Sequence, residues 1–333
     1  MKLVPARAIP VLVCIDVEPD PRCIDRENPP PWRGFEASVA FFESARSRLR
    51  SATRSPVHFC WFLRMDPQVE GCYGDAAWFA REHAAAIATL ARSGDEIGLH
   101  AHMHRWDEPI GAWIVDHGDP DWVAHCLDVS FDAFARSLGR RCTSFRFGDG
   151  WCSDAALARI EAFGVRYDLT GEPESQPRPS LVPGEAATGS LPGWVGIPRA
   201  PYRPSREDFR RPDPRRRGGL WEIPLTAGTG SDRSDSSAPW RTLNLTIEPA
   251  IFRAVVERVI EGSPRPYLGF MVRADDSCND AREVVLANLD FVASHPLVRR
   301  FRFSTPARAM RRLGLLSLGE RLRGTLGFVR RRS

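Results

Sequence analysis

A chain of 333 residues with 43% hydrophobic and 26% charged side chains has enough apolar material for a sizeable core, which excludes global disorder. The formal net charge of +4 is small, and the arginine excess lies beyond Pro306 rather than along an aromatic-interleaved stripe, so no nucleic acid partner is expected. No apolar run approaches the roughly 20 residues that cross a bilayer, the opening MKLVPARAIPVLVCIDVE runs into carboxylates rather than a cleavage site, and the eight cysteines lack CxxC or zinc-finger spacing; a cytoplasmic protein with reduced thiols is expected.

Short β-branched or aromatic runs alternate with helix-like segments, the pattern of βα units around a parallel sheet. The first apolar run, 11–16, leads to Asp16 and Glu18. With a side-chain period of two these carboxylates point to the same side, at the strand end where α/β barrels build active sites. The plainer alternative is an exposed pair capping the next loop. A strand is expected over 57–64 and a helix over 75–93, closed by Gly94. The next strand, 96–102, runs into His100, His102 and His104 within GDEIGLHAHMH. Three of the chain's eight histidines within five residues point to a metal rather than to packing. Catalytic zinc sites typically combine three protein ligands with an open water position, so two histidines and one carboxylate from the first strand would complete a set.

Further along, a helix over 121–138 precedes a strand over 144–147 and the segment SFRFGDGWCSD, which contains Arg146, Asp149 and Trp151. Arg146 is placed either to orient a carboxylate through a bidentate contact or to sit in a buried structural ion pair. A helix over 153–163 and a strand over 165–169 follow. Residues 171–219, rich in Pro, Gly and Arg, form a long surface excursion. The remaining strands are expected over 220–226, 267–273 and 301–305, with helices over 248–261 and 280–294 and a flexible loop over 228–239. Eight strands suggest a barrel. Residues 1–306 are expected to form one domain and 307–333 a basic tail, whose leucine–arginine alternation offers weak membrane contact against the helix-weakening Gly314, Gly319, Gly324 and Gly327.

Taken in order, IDVE at 15–18, GDEIGLHAHMH at 94–104, SFRFGDGW at 144–151, GVRYDLT at 164–170 and FRFSTPARA at 301–309 resemble the polysaccharide deacetylase family, the nodulation-type deacetylase homology domain of the carbohydrate esterases. The resemblance covers most of the chain. It implies an α/β fold, a distorted parallel (β/α) barrel of seven to eight strands. It also implies a hydrolase that removes an N- or O-linked acetyl group from a sugar or glycoconjugate with one divalent metal ion, zinc by preference. On this reading Asp16 is the catalytic base, Arg146 steadies it, and Glu18, His100 and His104 hold the metal, with His102 a neighbour. Asp149, Trp151 and Arg273 are assigned to substrate contacts.

The sequence departs from the family pattern in three places. The family strand that ends Leu-x-Ile-His with an acid histidine reads LGFMVRADD here, placing Arg273 at that point and leaving the general acid unassigned. Arg273 is expected to meet an anionic group of the substrate, or to be neutralised by Asp275 and Asp276. Val17 stands where many members carry a second aspartate, so the metal-binding carboxylate stays open between Asp16 and Glu18. No tryptophan follows GVRYDLT. Two alternatives remain: a non-sugar amide hydrolase on the same barrel, and a catalytically inactive barrel that binds carbohydrate or a partner protein.

Overall fold

In the computed structural model, which describes residues 7–20, 24–179, 187–230, 240–274, 280–316 and 320, the fold is carried by one parallel sheet of eight strands. These are β1 (Ile9–Val17), β2 (Cys60–Arg64), β3 (Glu96–Ala101), β4 (Ser144–Phe147), β5 (Tyr167–Asp168), β6 (Trp221–Glu222), β7 (Leu268–Arg273) and β8 (Phe301–Phe303). Their spatial order is β6-β5-β4-β3-β2-β1-β7, and β8 pairs with the start of β1. All eight overlap the expected strand runs. Residues 223–226 carry the chain from β6 towards β7, where Thr226 N donates to Gly269 O at 2.9 Å and its Oγ1 accepts from Gly269 N at 2.8 Å. The curled sheet is the distorted parallel barrel that the alternation of segments implies.

Strand alternation sorts side chains into two apolar layers. Val11, Val13, Ile15 and Val17 of β1 join Trp61, Leu63, Ile97 and Leu99 in the cluster packed under the helices. Leu12 and Cys14 instead join Cys60, Phe62, Tyr167, Leu169 and Leu225 in the barrel interior. Because the side-chain period is two, Asp16 and Glu18 continue that inward row. Space inside is tight: a Cβ on Gly98 would meet Ser144 O at 2.5 Å and the Phe62 ring at 2.7 Å.

The helices depart more from expectation. α1 (Arg33–Thr53) is absent from the expected set, although Phe35, Ser38, Phe42, Ala45 and Leu49 form one buried stripe at helical spacing. Its start is silent in sequence, since Trp32 at the N-cap supplies no capping side chain. α2 (Pro67–Tyr73) is capped by Asp66, which accepts from Gln68 N and Val69 N. The helix expected over 75–93 breaks at His83 into α3 (Trp78–Glu82) and α4 (Ala84–Arg92). α5 (Pro120–Leu138), α6 (Asp154–Ala162), α7 (Pro249–Gly262) and α8 (Arg282–Ser294) follow expectation closely.

Two further differences bear on the site. After β3 the chain forms an antiparallel hairpin, His104–Asp107 with Ala112–Asp116. The start of the expected tail is α9 (Pro306–Leu313), whose Ala309, Met310 and Leu313 pack into the barrel's inner cluster. Residues 317–319 and 321–333 lie outside the described residues, as do most of the 228–239 loop and Asp275 and Asp276. Among the described residues no helix is long and apolar enough to cross a membrane.

Candidate functional site

The inward rows end in polar groups at the C-terminal rim of the barrel. Register sets them on two successive tiers: Asp16 pairs with Phe62 and Arg273 on its two sides, and two residues further along the strands Arg64 pairs with His100 and His100 with Arg146. Parallel pairing thereby brings together residues more than a hundred positions apart in sequence.

Asp16 and Arg146 form a buried pair. Arg146 Nε donates to both Asp16 oxygens at 2.9 Å, and its Nη1 donates to Leu169 O at 2.6 Å. Burial alone would pull the guanidinium pKa down, but Asp16 and Glu172 outweigh it, so Arg146 stays charged. The same guanidinium also approaches Glu172, with Nη2 3.7 Å from Oε1.

Glu18 anchors a second cluster. Its Oε2 accepts from Arg64 Nη1 at 2.8 Å. Its Oε1 lies 3.0 Å from His102 Nε2 and 3.3 Å from His100 Nε2, and the two Nε2 atoms are 3.0 Å apart. Burial pushes the Glu18 carboxyl pKa up, yet His102, Arg64 and Arg273 together hold it well below the usual range. Each imidazole is oriented from behind. His100 Nδ1 is 2.9 Å from Arg146 O, and a nitrogen facing a carbonyl must be the donor, which makes Nε2 the lone-pair position of the neutral ring. His102 Nδ1 is 3.2 Å from Asp149 Oδ2, which selects the same tautomer.

Three acceptor atoms therefore converge on one point, an arrangement that repels unless positive charge stands among them. Burial opposes a proton on His102, but Glu18 and Asp149 prevail over it and raise the His102 pKa. Donor chemistry and spacing both suit a zinc-like ion. Metal–nitrogen bonds of about 2.0–2.1 Å at tetrahedral angles separate neighbouring donors by about 3.3 Å, close to the observed 3.0–3.3 Å. Glu18, His100 and His102 are the group found within metal-holding reach among the described residues.

His104 stands elsewhere. It is fully buried, its Nδ1 is 2.8 Å from Arg64 Nη2, and its ring stacks on His102 with centroids 5.1 Å apart. The reason is local geometry. On extended backbone, at about 3.3 Å per residue, histidines two apart are near neighbours on one face, whereas His104 already belongs to the hairpin that follows β3. Arg64, buried completely, also donates from Nε to Asp66 at 2.7 Å and from Nη2 to Gln68 Oε1 at 2.5 Å.

Of the residues assigned to substrate contacts, Asp149 is half-buried, its side chain against His102, at the left-handed φ of 60°. Trp151 packs between Phe147 and a parallel His117 ring, with 5% of its surface exposed. Arg273 is half-buried, with Nε 3.9 Å from Glu18 Oε1. Sequence reasoning passed over Arg64, Asp66 and Glu172. A signal for the first two was available, because Arg64 and Asp66 end β2 with the same two-residue spacing as Asp16 and Glu18 on β1.

No protein-family model matches the sequence, and no curated protein matches it. Solved structures do. A provisionally assigned glycoside hydrolase/deacetylase from Parabacteroides distasonis is 13% identical, with 89% of this chain and 68% of that chain covered and a TM-score of 0.52. PuuE allantoinase is 14% identical over 92% of this chain and 91% of that one, with a TM-score of 0.50. A provisionally assigned polysaccharide deacetylase from Mycobacterium smegmatis is 13% identical over 94% and 93%, with a TM-score of 0.49. The two with TM-scores of 0.50 and 0.52 share the fold of this chain, the distorted (β/α) barrel.

Proposed function

We propose that the protein is a metal-dependent hydrolase that removes an acetyl group from a sugar or glycoconjugate. The observation that carries this reading is the convergence of the Glu18, His100 and His102 donor atoms beside the Asp16–Arg146 pair at the C-terminal mouth of the barrel. Glu18, His100 and His102 would hold one divalent ion, with zinc the best match to the donor set. When bound, such an ion supplies Lewis acidity towards a carbonyl oxygen and lowers the pKa of water. Asp16 accepts the proton of the attacking water. Arg146 fixes the direction of Asp16 by holding both oxygens. Arg64 secures the far oxygen of Glu18, leaving Oε1 to face the histidines, and Asp149 keeps the His102 tautomer. Arg273 adds positive charge at the rim, suited to an anionic part of the substrate.

The test pairs elemental analysis of the purified protein with acetate release from a panel of N- and O-acetylated sugars. A cyclic amide such as allantoin belongs in the panel, since an allantoinase shares the fold. One bound divalent ion per chain and acetate release are expected. His102→Ala is expected to lose the ion, while His104→Ala retains most of it. Metal retained by His102→Ala and lost by His104→Ala would return the ligand role to His104.

A further inference from the structure

Hydrolysis of an amide needs an acid as well as a base, because the departing nitrogen must be protonated as the carbon–nitrogen bond breaks. Arg273, at the end of β7, holds its proton too firmly to serve. We propose that Glu172 is the general acid, delivering a proton to the leaving group from beside the Arg146 guanidinium that also holds the base Asp16. The assignment rests on the hydrolase reading above.

Geometry separates Glu172 from the other carboxyls around the centre. Asp16 is held by Arg146, Glu18 belongs to the donor cluster, Asp66 pairs with Arg64 and caps α2, and Asp149 faces His102. Asp168 and Glu222 alternate with Tyr167, Leu169, Trp221 and Ile223 of the barrel's inner layer, and so face away from it. Glu172 follows β5 at the same rim, and its side chain is 23% exposed, against 4% for Asp16 and 5% for Glu18. Its Oε1 lies 3.4 Å from where a Cβ on Gly150 would stand, which sets it beside the turn that carries Asp149. One guanidinium therefore has the base on its Nε edge and Glu172 at its Nη2.

The charged groups facing Glu172 are Arg146 from β4, Arg178 from the excursion and Asp16 from β1, with a hydrogen bond from Thr242. Burial is the largest influence and, with Asp16, outweighs both arginines and Thr242, so the carboxyl stays protonated above its ordinary range. The proton balance closes. Water adds to the acetyl carbon and gives a proton to Asp16; the carbon–nitrogen bond then breaks, and its electron pair takes the proton of Glu172. Acetic acid and a free amine leave, and solvent returns the proton from Asp16 to Glu172.

The experiment compares two substrates on Glu172→Gln: an N-acetylated sugar, whose amine must be protonated, and an activated aryl acetate, whose phenolate departs without a proton. The expected result is a fall in kcat of about 10² to 10⁴ on the amide, with aryl acetate turnover within a few fold of wild type. The alkaline fall of kcat/KM on the amide should be absent in the variant. Glu172→Asp, which keeps a carboxyl, should retain that alkaline limb and part of the amide activity, and metal content should be unchanged in both. Equal losses on the two substrates would mean that Glu172 only steadies Arg146, and no loss would mean that it has no part; either overturns the assignment. A wild type that binds metal but hydrolyses neither substrate defeats the hydrolase reading itself, and the assignment falls with it.

Discussion

Glu18 and Asp16 are two residues apart on one strand, yet their surroundings divide the chemistry between them. Both oxygens of Asp16 are held by a single guanidinium, which suits the base role proposed for it. Glu18 is shared between Arg64 and two imidazoles, which suits a ligand. Asp16→Asn is therefore expected to keep the metal and lose about 10² to 10⁴ in rate, whereas Glu18→Gln should lose metal first. Asp16→Asn also leaves the buried Arg146 short of its carboxylate, a loss that typically costs about 3–5 kcal/mol, whereas Arg64 keeps Asp66 when Glu18 is changed, so Asp16→Asn should melt at the lower temperature. Metal analysis and calorimetry on the two proteins check this, and metal lost from Asp16→Asn but retained by Glu18→Gln would exchange the roles.

At the scale of elements, the strands were legible because alternation and apolar runs report burial directly, and the strand ends exposed Asp16, Glu18, His100 and Arg146 as a set. Helix α1 was not legible at its start, because Trp32 gives no capping signal. The break at His83 left no mark, since alanine-rich flanks suit a continuous helix. The partner of each histidine was equally hidden, because it depends on where β3 stops and the hairpin begins. The turn after β4 shows how such detail is fixed by one residue. Gly148 sits against His102 so closely that a Cβ would meet the ring at 2.5 Å. Gly148→Ala must displace that imidazole or the turn that brings Asp149 to it. The expected outcome is a metal affinity lowered by about 10- to 100-fold, the scale of losing a histidine's outer support, measured by competition with a chromophoric chelator. Unchanged affinity would show that the turn yields instead of the ring.

On the scale of the whole molecule, the long excursion after β5 covers the outer side of the sheet edge as well as running over the surface. Tyr202 exchanges both backbone hydrogen bonds with Glu222, at 3.0 and 2.9 Å, and so covers the edge of β6 away from β5. Beneath this cover Asp168 and Glu222 lie side by side in register, both buried. Thr170 Oγ1 donates to Asp168 at 2.6 Å and Gly171 N to Glu222 at 2.8 Å. Burial is the main cause pushing the Asp168 pKa up to about 6 from 3.8, and burial together with Asp168 raises that of Glu222 well above its usual range. Two such carboxyls titrate together and share a proton. Because the folded pKa values exceed the unfolded ones, the folded state binds protons more tightly, and the stability this confers is complete below about pH 4 and lost as pH rises through 6 and beyond. At about 1.4 kcal/mol for each tenfold gain in proton affinity, the Asp168 contribution alone is on the order of 1–3 kcal/mol. The melting temperature of wild type should therefore fall between pH 5 and pH 8. Glu222→Gln keeps the shape and a permanent donor towards Asp168, so its melting temperature should vary less over that range and exceed that of wild type at the alkaline end. Calorimetric scans of both proteins at matched ionic strength decide the matter, and parallel pH profiles would place the proton elsewhere in the fold.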